Sequence, residues 1–429
     1  MTARRRSTTE RPRERAALVR LSTRASRSVD AEDAIDELAG LARAAGADVA
    51  LTVVQERATA DAATLIGTGK AEMLARACDE ADIDLVIVDN ELSPAQTRNL
   101  EDACHRRVID RTALILDIFA RRARTREGQL QVELAQLQYR LPRLAGSSDA
   151  LSRLGGGIGT RGPGETKLET DRRRIRHRIA ALKSDIADVQ RRRGYLRARR
   201  RRADVPTIAL VGYTNAGKTT LFNWLTGAAA TASNALFVTL DPLMRRVRLG
   251  DTQQALLADT VGFIDRLPHQ LVAAFHATLE EVAGADLLVH VIDASAPDRQ
   301  RRRDAVRAVL AEVGAQHVPM LDVFNKIDQL EPGERDALRA ANPDAAWISA
   351  REHVGREDLL AAMAARLSLD ATRVRLSLDN SIDADRRLLV DLYRHARVVS
   401  QTETDAHVSV EAEIPRRLLP RFARATVPA

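Results

Sequence analysis

Two kinds of apolar pattern alternate along the first third of the chain. Short apolar runs typical of buried strands are separated by stretches whose apolar residues recur every three or four positions, as in amphipathic helices. This alternation favours βαβ units and a parallel sheet between residues 16 and 120. The apolar runs are 18–21, 49–54, 85–88, 108–109 and 114–119, and the helical patterns are 31–45, 71–80 and 95–104.

A heptad pattern replaces this alternation between residues 121 and 204. Two short seams separated by a break predict an antiparallel helical hairpin of the coiled-coil type. The break contains GGGIGTRGPGE at residues 155–165, where six glycines and a proline in eleven residues exclude a helix. This segment is either a flexible linker or, as we favour, a loop whose backbone approaches a partner closely. The seams are Leu130, Leu134, Leu137, Leu141 and Leu144, then Ile175, Ile179, Leu182, Ile186 and Val189.

The rest of the chain predicts two further folded parts. Residues 205–370 again alternate strands and helices, and 371–429 resemble a small α+β domain without a chemical motif. Residues 1–15 are arginine-rich without apolar periodicity, which predicts a disordered basic tail. The fold class is therefore α/β, with a parallel N-terminal domain, a hairpin insertion, a second α/β domain and a small C-terminal domain.

Charge and composition narrow the class of protein. No stretch approaches the roughly 18 apolar residues of a membrane span, and the N-terminus has no apolar signal core, so we expect a cytoplasmic protein. The two cysteines, Cys78 and Cys104, cannot form a disulfide framework or a zinc site. Residues 121–204 hold 23 Lys and Arg against 9 Asp and Glu, a net charge of +14 in a chain of +7. A basic segment on an otherwise acidic chain indicates a polyanionic partner, nucleic acid first.

A phosphate-binding loop opens the second α/β domain. The apolar strand 207–211 is followed by G-x-x-x-x-G-K-T and a helical pattern, which is the context that a P-loop requires. Its backbone N–H groups would wrap the phosphates, Lys218 would neutralise the β and γ oxygens, and Thr219 would bind Mg²⁺. The loop residues are Gly212, Tyr213, Thr214, Asn215, Ala216, Gly217, Lys218, Thr219 and Thr220.

Three downstream segments complete a guanine nucleotide site. Asp259, Thr260, Val261 and Gly262 follow an apolar run, where Asp259 can hold Mg²⁺ through water and the Gly262 N–H can meet the γ-phosphate. In the second segment, Asn325, Lys326, Ile327 and Asp328, the Asp328 carboxylate can accept from guanine N1–H and N2–H₂, whereas adenine would leave it unpaired. Lys326 can cover the base and Asn325 can brace the P-loop. The third segment, Ser349 and Ala350, fits a turn whose N–H meets guanine O6.

Together these segments resemble translation-factor-type GTPases, and this resemblance assigns a switch. Thr239 would reach Mg²⁺ only when a γ-phosphate is present. Lys218, Thr239 and Gly262 are then the catalytic candidates, and Thr219, Thr239 and Asp259 the metal ligands. The switch residues are Phe237, Val238, Thr239, Leu240 and Asp241.

Longer blocks make the resemblance more specific. Three blocks resemble the HflX family of ribosome-associated GTPases, within the Obg–HflX superfamily: NELSPAQTRNLE after Asp89, the block 108–139, and SRLGGGIGTRGPGETKLETDRRRIR after Leu151. In the second α/β domain, FVTLDP at 237–242, DTVGFI at 259–264 and NKID at 325–328 carry the same resemblance. The resemblance runs from about residue 16 to 370. It implies GTP and GDP as substrate and product, Mg²⁺ as cofactor, and a monomer that binds the large ribosomal subunit through residues 121–204. It also implies that GTP is used to split stalled or idle ribosomes, with the glycine-rich tip reaching ribosomal RNA.

Two departures and three alternatives qualify this interpretation. Phe263 stands where many GTPases carry a water-orienting glutamine, so we expect slow basal hydrolysis that the large subunit stimulates. The switch continues as Leu240-Asp-Pro-Leu-Met-Arg where the family usually has threonines, so its mobility could differ. A ribosome-assembly GTPase, an RNA-binding scaffold with a vestigial pocket and an ATP-driven RNA remodeller are the alternatives. The complete set of nucleotide motifs disfavours the scaffold, and Asp328 disfavours ATP.

Overall fold

The computed structural model describes residues 13–23, 31–144, 163–202, 205–228, 236–237, 239, 242–250, 253–265, 281–367, 371–379, 381–404 and 407–427. Contacts divide them into two compact units. The first lies within residues 1–195 and includes 236–237 and 239, and the second lies within 196–232, 242–265 and 278–429. In this described part of the chain, no helix has the length and apolar character to cross a membrane.

A four-stranded parallel sheet organises the first unit, as the alternating pattern predicts. The strands are β1 (Arg15–Ser22), β2 (Asp48–Glu56), β3 (Leu85–Val88) and β4 (Arg107–Asp110), in the order β2-β1-β3-β4. The helices between them are α1 (Ala31–Ala44), α2 (Thr68–Glu80) and α3 (Pro94–Cys104). Apolar side chains of β1, β3, α2 and α3 form one continuous core.

The apolar run at 114–119 lies in a helix, α4 (Arg111–Arg122). Asp110 begins this helix, because its carboxylate accepts the Ala113 N–H at 2.9 Å. Five of the six side chains of the run are buried, and Asp117 is exposed. A six-residue run with one polar position is too short to distinguish the period of a helix from that of a strand.

Two helices follow in the region of the predicted hairpin, α5 (Arg126–Arg143) and α6 (Pro163–Arg202). The predicted apolar seam of α6 is the less exposed side of that helix, with Leu182 fully buried, while Arg173, Arg174 and Arg176 are exposed. Arg178 of α6 donates two hydrogen bonds to Glu133 of α5, at 2.7 and 2.8 Å. Residues 155–162 of the glycine-rich segment lie outside the described residues. Residues 163–165, which the glycine and proline content predicted to be non-helical, instead begin α6, because a helix tolerates proline at its first position.

A six-stranded sheet forms the centre of the second unit. Its order is β10-β9-β8-β5-β7-β6, and all neighbours are parallel except β6 and β7. The strands are β5 (Thr207–Val211), β6 (Leu243–Arg248), β7 (Gln254–Asp259), β8 (Leu287–Asp293), β9 (Met320–Asn325) and β10 (Ala346–Trp347). The helices are α7 (Lys218–Thr226), α8 (Arg299–Glu312), α9 (Pro332–Ala341) and α10 (Arg356–Arg366).

The C-terminal part of this unit is an α+β layer, as expected. An antiparallel sheet in the order β12-β13-β11-β14 contains β11 (Ala371–Asp379), β12 (Arg397–Glu403), β13 (His407–Pro415) and β14 (Thr426–Val427). Helix α11 (Asp383–His395) packs on it, and the short helix α12 (Leu419–Phe422) contributes Phe422 to the core. The pattern does not predict β12, because six of its seven residues are polar or exposed.

A histidine is buried beside an aspartate in the sheet of the second unit. The His290 ring in β8 is 1% exposed, and its Nδ1 lies 2.9 Å from an Asp322 carboxylate oxygen. Arg303 and Arg307 contact the same aspartate. Burial lowers the pKa of His290 below its ordinary value, outweighing the raising effect of Asp322. Burial in the folded protein therefore disfavours protonation of this ring.

We expect the free energy of unfolding to fall as the pH drops below about 6.5, because only the unfolded chain then protonates this histidine readily. The contribution is at most about 1.4 kcal/mol per pH unit. Thermal unfolding at pH 7.5, 6.5 and 5.5 would measure it, and His290→Gln should flatten the slope. His317→Gln changes an exposed histidine and should keep it. A His290→Gln variant with the unchanged slope would contradict this assignment.

Candidate functional site

The P-loop connects β5 to α7 in a conformation that two glycines permit. A Cβ on Gly212 would lie 2.3 Å from the Val291 carbonyl oxygen, and one on Gly217, at φ 95°, would lie 2.2 Å from Asn325 Nδ2. Asn215 also has a positive φ, of 61°. The loop is thus pressed against the carboxyl ends of β8 and β9, and side chains at these two glycines would push it away.

Lys218 and Thr219 begin α7 at the end of this loop. Lys218 Nζ donates to the Gly212 and Tyr213 carbonyl oxygens at 2.9 and 2.8 Å. Burial lowers the pKa of Lys218 to about 8, against the raising effect of Asp259. Thr219 Oγ1 donates to Asp259 Oδ2 at 2.8 Å, which brings the two predicted metal ligands from β7 and α7 together. A hydroxyl beside a carboxylate is a donor set that suits Mg²⁺.

Asn325 braces the loop, as predicted. Its Nδ2 donates to the Ala216 carbonyl oxygen at 2.9 Å, and its Oδ1 accepts the Ala350 N–H at 3.0 Å. Asn325 is 3% exposed, so both hydrogen bonds are shielded from water. One amide therefore fixes the P-loop and the Ser349–Ala350 turn to the end of β9.

The residues after Asn325 form a turn in which Asp328 and Gln329 are exposed to solvent. Lys326 is left-handed at φ 65°, and its Nζ contacts Asp293 Oδ2 at 2.5 Å. Asp328 is exposed in the 3-10 turn Ile327–Gln329, and the Ile327 N–H donates to the Ile348 carbonyl oxygen at 3.3 Å. Asp328 is thus accessible beside the braced loop.

The segment after β7 pairs with the P-loop. The Thr214 N–H donates to the Phe263 carbonyl oxygen at 2.7 Å, and the Phe263 N–H donates to the Gly212 carbonyl oxygen at 3.1 Å. Thr260 Oγ1 donates to the Leu210 carbonyl oxygen at 2.5 Å. These bonds place Gly262 beside the loop and leave the Phe263 side chain buried.

Some of the predicted switch residues are described by the structure and the others are not. Val238, Leu240 and Asp241 lie outside the described residues. Phe237 is buried in the first unit, where its ring meets Phe119 edge to face at 4.7 Å between centroids, and Thr239 belongs to the same unit. The part of Phe237 and Thr239 in nucleotide binding stays a prediction.

Sequence reasoning missed several charged residues around the site. Asp293 holds Lys326, and Arg301 holds Asp265 just beyond Phe263. The arginine run 299–303 was visible in the sequence, but charge alone gave no reason to direct it toward the P-loop. These partners come from strands and helices that only the fold brings together.

The parallel sheet, the P-loop at the start of α7 and the braced Asn325–Asp328 turn define a GTP-binding protein of the P-loop class. Comparisons identify the family. Family models described as GTP-binding GTPase N-terminal, GTP-binding GTPase Middle Region and 50S ribosome-binding GTPase match residues 32–120, 122–200 and 207–326.

The chain is 45% identical over 404 residues to GTPase HflX of Caldanaerobacter subterraneus subsp. tengcongensis, covering 94% of this chain and 92% of that one. It is 46% identical over 389 residues to GTPase HflX of Escherichia coli K12, covering 90% of each. The chain therefore belongs to the HflX family of GTPases and hydrolyses GTP. A GTP-binding protein of Sulfolobus solfataricus, solved with GDP, is 24% identical, with 83% of this chain and 99% of that one covered and a TM-score of 0.45.

Asp328→Asn should change the base preference of the site from guanine to xanthine. Losing the carboxylate that accepts two guanine donors should weaken GTP binding by about 10- to 100-fold. Xanthine carries an oxygen in place of the amine, so the new amide can donate to it and xanthosine triphosphate should gain affinity. Titration calorimetry with both nucleotides measures the exchange. Asp336→Asn changes an exposed carboxylate of α9 and should leave both affinities unchanged. Equal weakening toward both nucleotides would refute base recognition by Asp328.

Proposed function

We propose that this GTPase binds the large ribosomal subunit through its basic helices and uses GTP to split stalled or idle ribosomes. The model matched by residues 207–326 describes a 50S ribosome-binding GTPase, which supports the partner. The observation that carries the proposal is the exposed arginine surface of α6, in a segment with a net charge of +14. We place this activity in the cytoplasm and expect a monomer.

The arginines of α6 divide into two groups. Arg178 forms the paired hydrogen bonds to Glu133, which lower the pKa of that carboxyl, so it joins α5 to α6. Arg173, Arg174 and Arg176 are exposed, and the Arg174 side chain is 77% accessible with only a 3.7 Å contact to Asp171. Exposed guanidinium groups on a rigid helix suit RNA phosphates, which they bind while releasing counterions.

The nucleotide chemistry follows from the placement of the P-loop side chains. Lys218 would neutralise the β- and γ-phosphate oxygens, and the Gly262 N–H would donate to the γ-phosphate. Thr219 and Asp259 would hold Mg²⁺, with Thr239 as the ligand of the GTP state. Bound Mg²⁺ supplies positive charge to the phosphate oxygens. Asn325 keeps the loop in place, and Asp328 and the Ala350 N–H would read the guanine edge.

Slow hydrolysis follows from Phe263. Its side chain is 3% exposed and carries no hydrogen-bonding group, so it cannot orient the attacking water. Phosphoryl transfer depends on positioning, so a missing water-orienting group costs rate rather than affinity. The subunit would restore the rate by ordering the switch residues or by adding polar groups.

We expect basal turnover of the purified protein below about 1 s⁻¹ and a strong rise on adding large subunits. The measurement is phosphate release with and without isolated large subunits, while light scattering follows dissociation of whole ribosomes. Small subunits serve as the matched particle control. Stimulation with GTP-dependent dissociation supports splitting, whereas stimulation without dissociation favours a role in ribosome assembly. Turnover of tens per second without ribosomes would contradict the role given to Phe263.

Neutralising four arginines tests the binding surface. The variant Arg172→Gln, Arg173→Gln, Arg174→Gln and Arg176→Gln should bind large subunits at least about tenfold more weakly at ~0.1 M salt. The salt dependence should become shallower, because fewer counterions are released. Co-sedimentation at several salt concentrations measures both effects.

The control removes the same charge from the C-terminal sheet domain. Its four arginines are each more than half exposed and are Arg373, Arg386, Arg397 and Arg424. Replacing these with glutamine should leave subunit binding unchanged, and GTP affinity should be unchanged in both variants. Unaltered subunit binding by the α6 variant would show that this surface is only a solvated face of the helix.

A further inference from the structure

A tyrosine of the P-loop contacts the segment after β7 through its side chain. The backbone bonds between Phe263 and the loop lie on either side of Tyr213, which forms a parallel bridge with Phe263. Two residues farther on, the Asp265 N–H donates to the Tyr213 hydroxyl at 2.9 Å. The hydroxyl thus extends the backbone pairing by one hydrogen bond, made by a side chain.

Helix α8 contacts both partners of this hydrogen bond, Asp265 and Tyr213. Arg301 donates to the Asp265 carboxylate at 2.8 Å, and the Arg302 guanidinium lies 5.1 Å from the centroid of the Tyr213 ring. Both arginines also contact Asp298, which begins the helix. Tyr213 and Asp265 are therefore positioned jointly by one pair of arginines.

The element held in this way is the backbone at Gly262. A Cβ at this residue would lie 3.0 Å from the Thr214 Cα and 3.1 Å from Lys218 Nζ. The Gly262 backbone is therefore next to the lysine that would meet the β- and γ-phosphates. A small shift of residues 262–265 away from the loop would move the Gly262 N–H relative to Lys218.

We infer that Tyr213 is a positioning residue that sets how strongly the site prefers GTP over GDP, by holding Asp265 and with it the Gly262 N–H. This inference rests on the proposed contact of Gly262 with the γ-phosphate. GDP has no γ-phosphate, so it does not use this contact. Phe263 cannot provide the hold through its own side chain, which has no polar atom. The hydroxyl of Tyr213 and the Arg301–Asp265 pair add side-chain bonds to the backbone bonds that Phe263 makes with the loop.

The test is Tyr213→Phe, which removes one oxygen and keeps the ring under Arg302. Affinities for GDP and for guanosine 5′-[β,γ-imido]triphosphate are measured by calorimetry on the full chain with Mg²⁺. The triphosphate should bind about fivefold more weakly, as expected for one lost hydrogen bond of ordinary strength, with GDP affinity within about twofold of the original. Arg301→Gln should change the same ratio in the same direction. The double variant should lose less than the two single effects combined, because both residues act through Asp265.

Tyr393→Phe is the matched control. Tyr393 is 56% exposed on α11, and its hydroxyl contacts Gln401, so the same chemical change occurs far along the chain in the C-terminal sheet domain. Its two affinities should be unchanged. Equal loss of GDP and triphosphate binding in Tyr213→Phe would overturn the inference, since it would indicate general damage to the P-loop, and no change in either would also overturn it. No ribosomal particle enters the measurement, so the result is independent of the proposed subunit partner.

Discussion

The nucleotide site depends on one buried amide. Asn325 lies at the carboxyl end of β9 and hydrogen-bonds both the Ala216 carbonyl oxygen and the Ala350 N–H. Gly217 leaves the room for this amide, since any side chain there would occupy the position of Nδ2. Because leaving a buried polar group unpaired costs more than its hydrogen bond gains, this amide holds the loop and the Ser349–Ala350 turn to the end of β9. Asn325 and Ala216 are 109 residues apart in sequence, so this amide joins segments that are distant along the chain.

The arginines of the chain fall into two groups, those paired with carboxylates and those accessible to solvent. Buried ion pairs organise the first unit, where Arg20 and Arg111 both bind the Asp89 carboxylate beside β1 and β3. Among the described side chains of the long helix α6, by contrast, most arginines are accessible, and Arg178 reaches α5. An arginine committed to a carboxylate contributes to the fold, whereas an accessible one remains available for a polyanion. Net charge alone cannot distinguish these two uses, because the contacts of each arginine decide which use it serves.

Local signals carried most of what the sequence could predict. The P-loop, the Asn325 brace and the strands of the parallel sheets follow from short motifs and from apolar period, and each has a local physical cause. The prediction failed where an apolar run is too short to show its period, as in residues 114–119 of α4, and where a strand is polar, as in β12. The pairing of Asp265 with Tyr213 and Arg301 could not be predicted, because it joins a loop, a strand end and a helix that only tertiary packing brings together.

The backbone contacts of Phe263 bear on how a GTPase can function with phenylalanine directly after its Asp259–Gly262 segment. A glutamine at that position would act through a flexible side chain, whereas here the backbone of Phe263 bonds to the P-loop on both sides. Backbone hydrogen bonds fix the position of a peptide group but supply no polar atom to a water molecule beyond it. Under the proposed function, the group that orients the attacking water would therefore be ordered or supplied when the large subunit binds. In that proposal, GTP would persist until the partner is engaged.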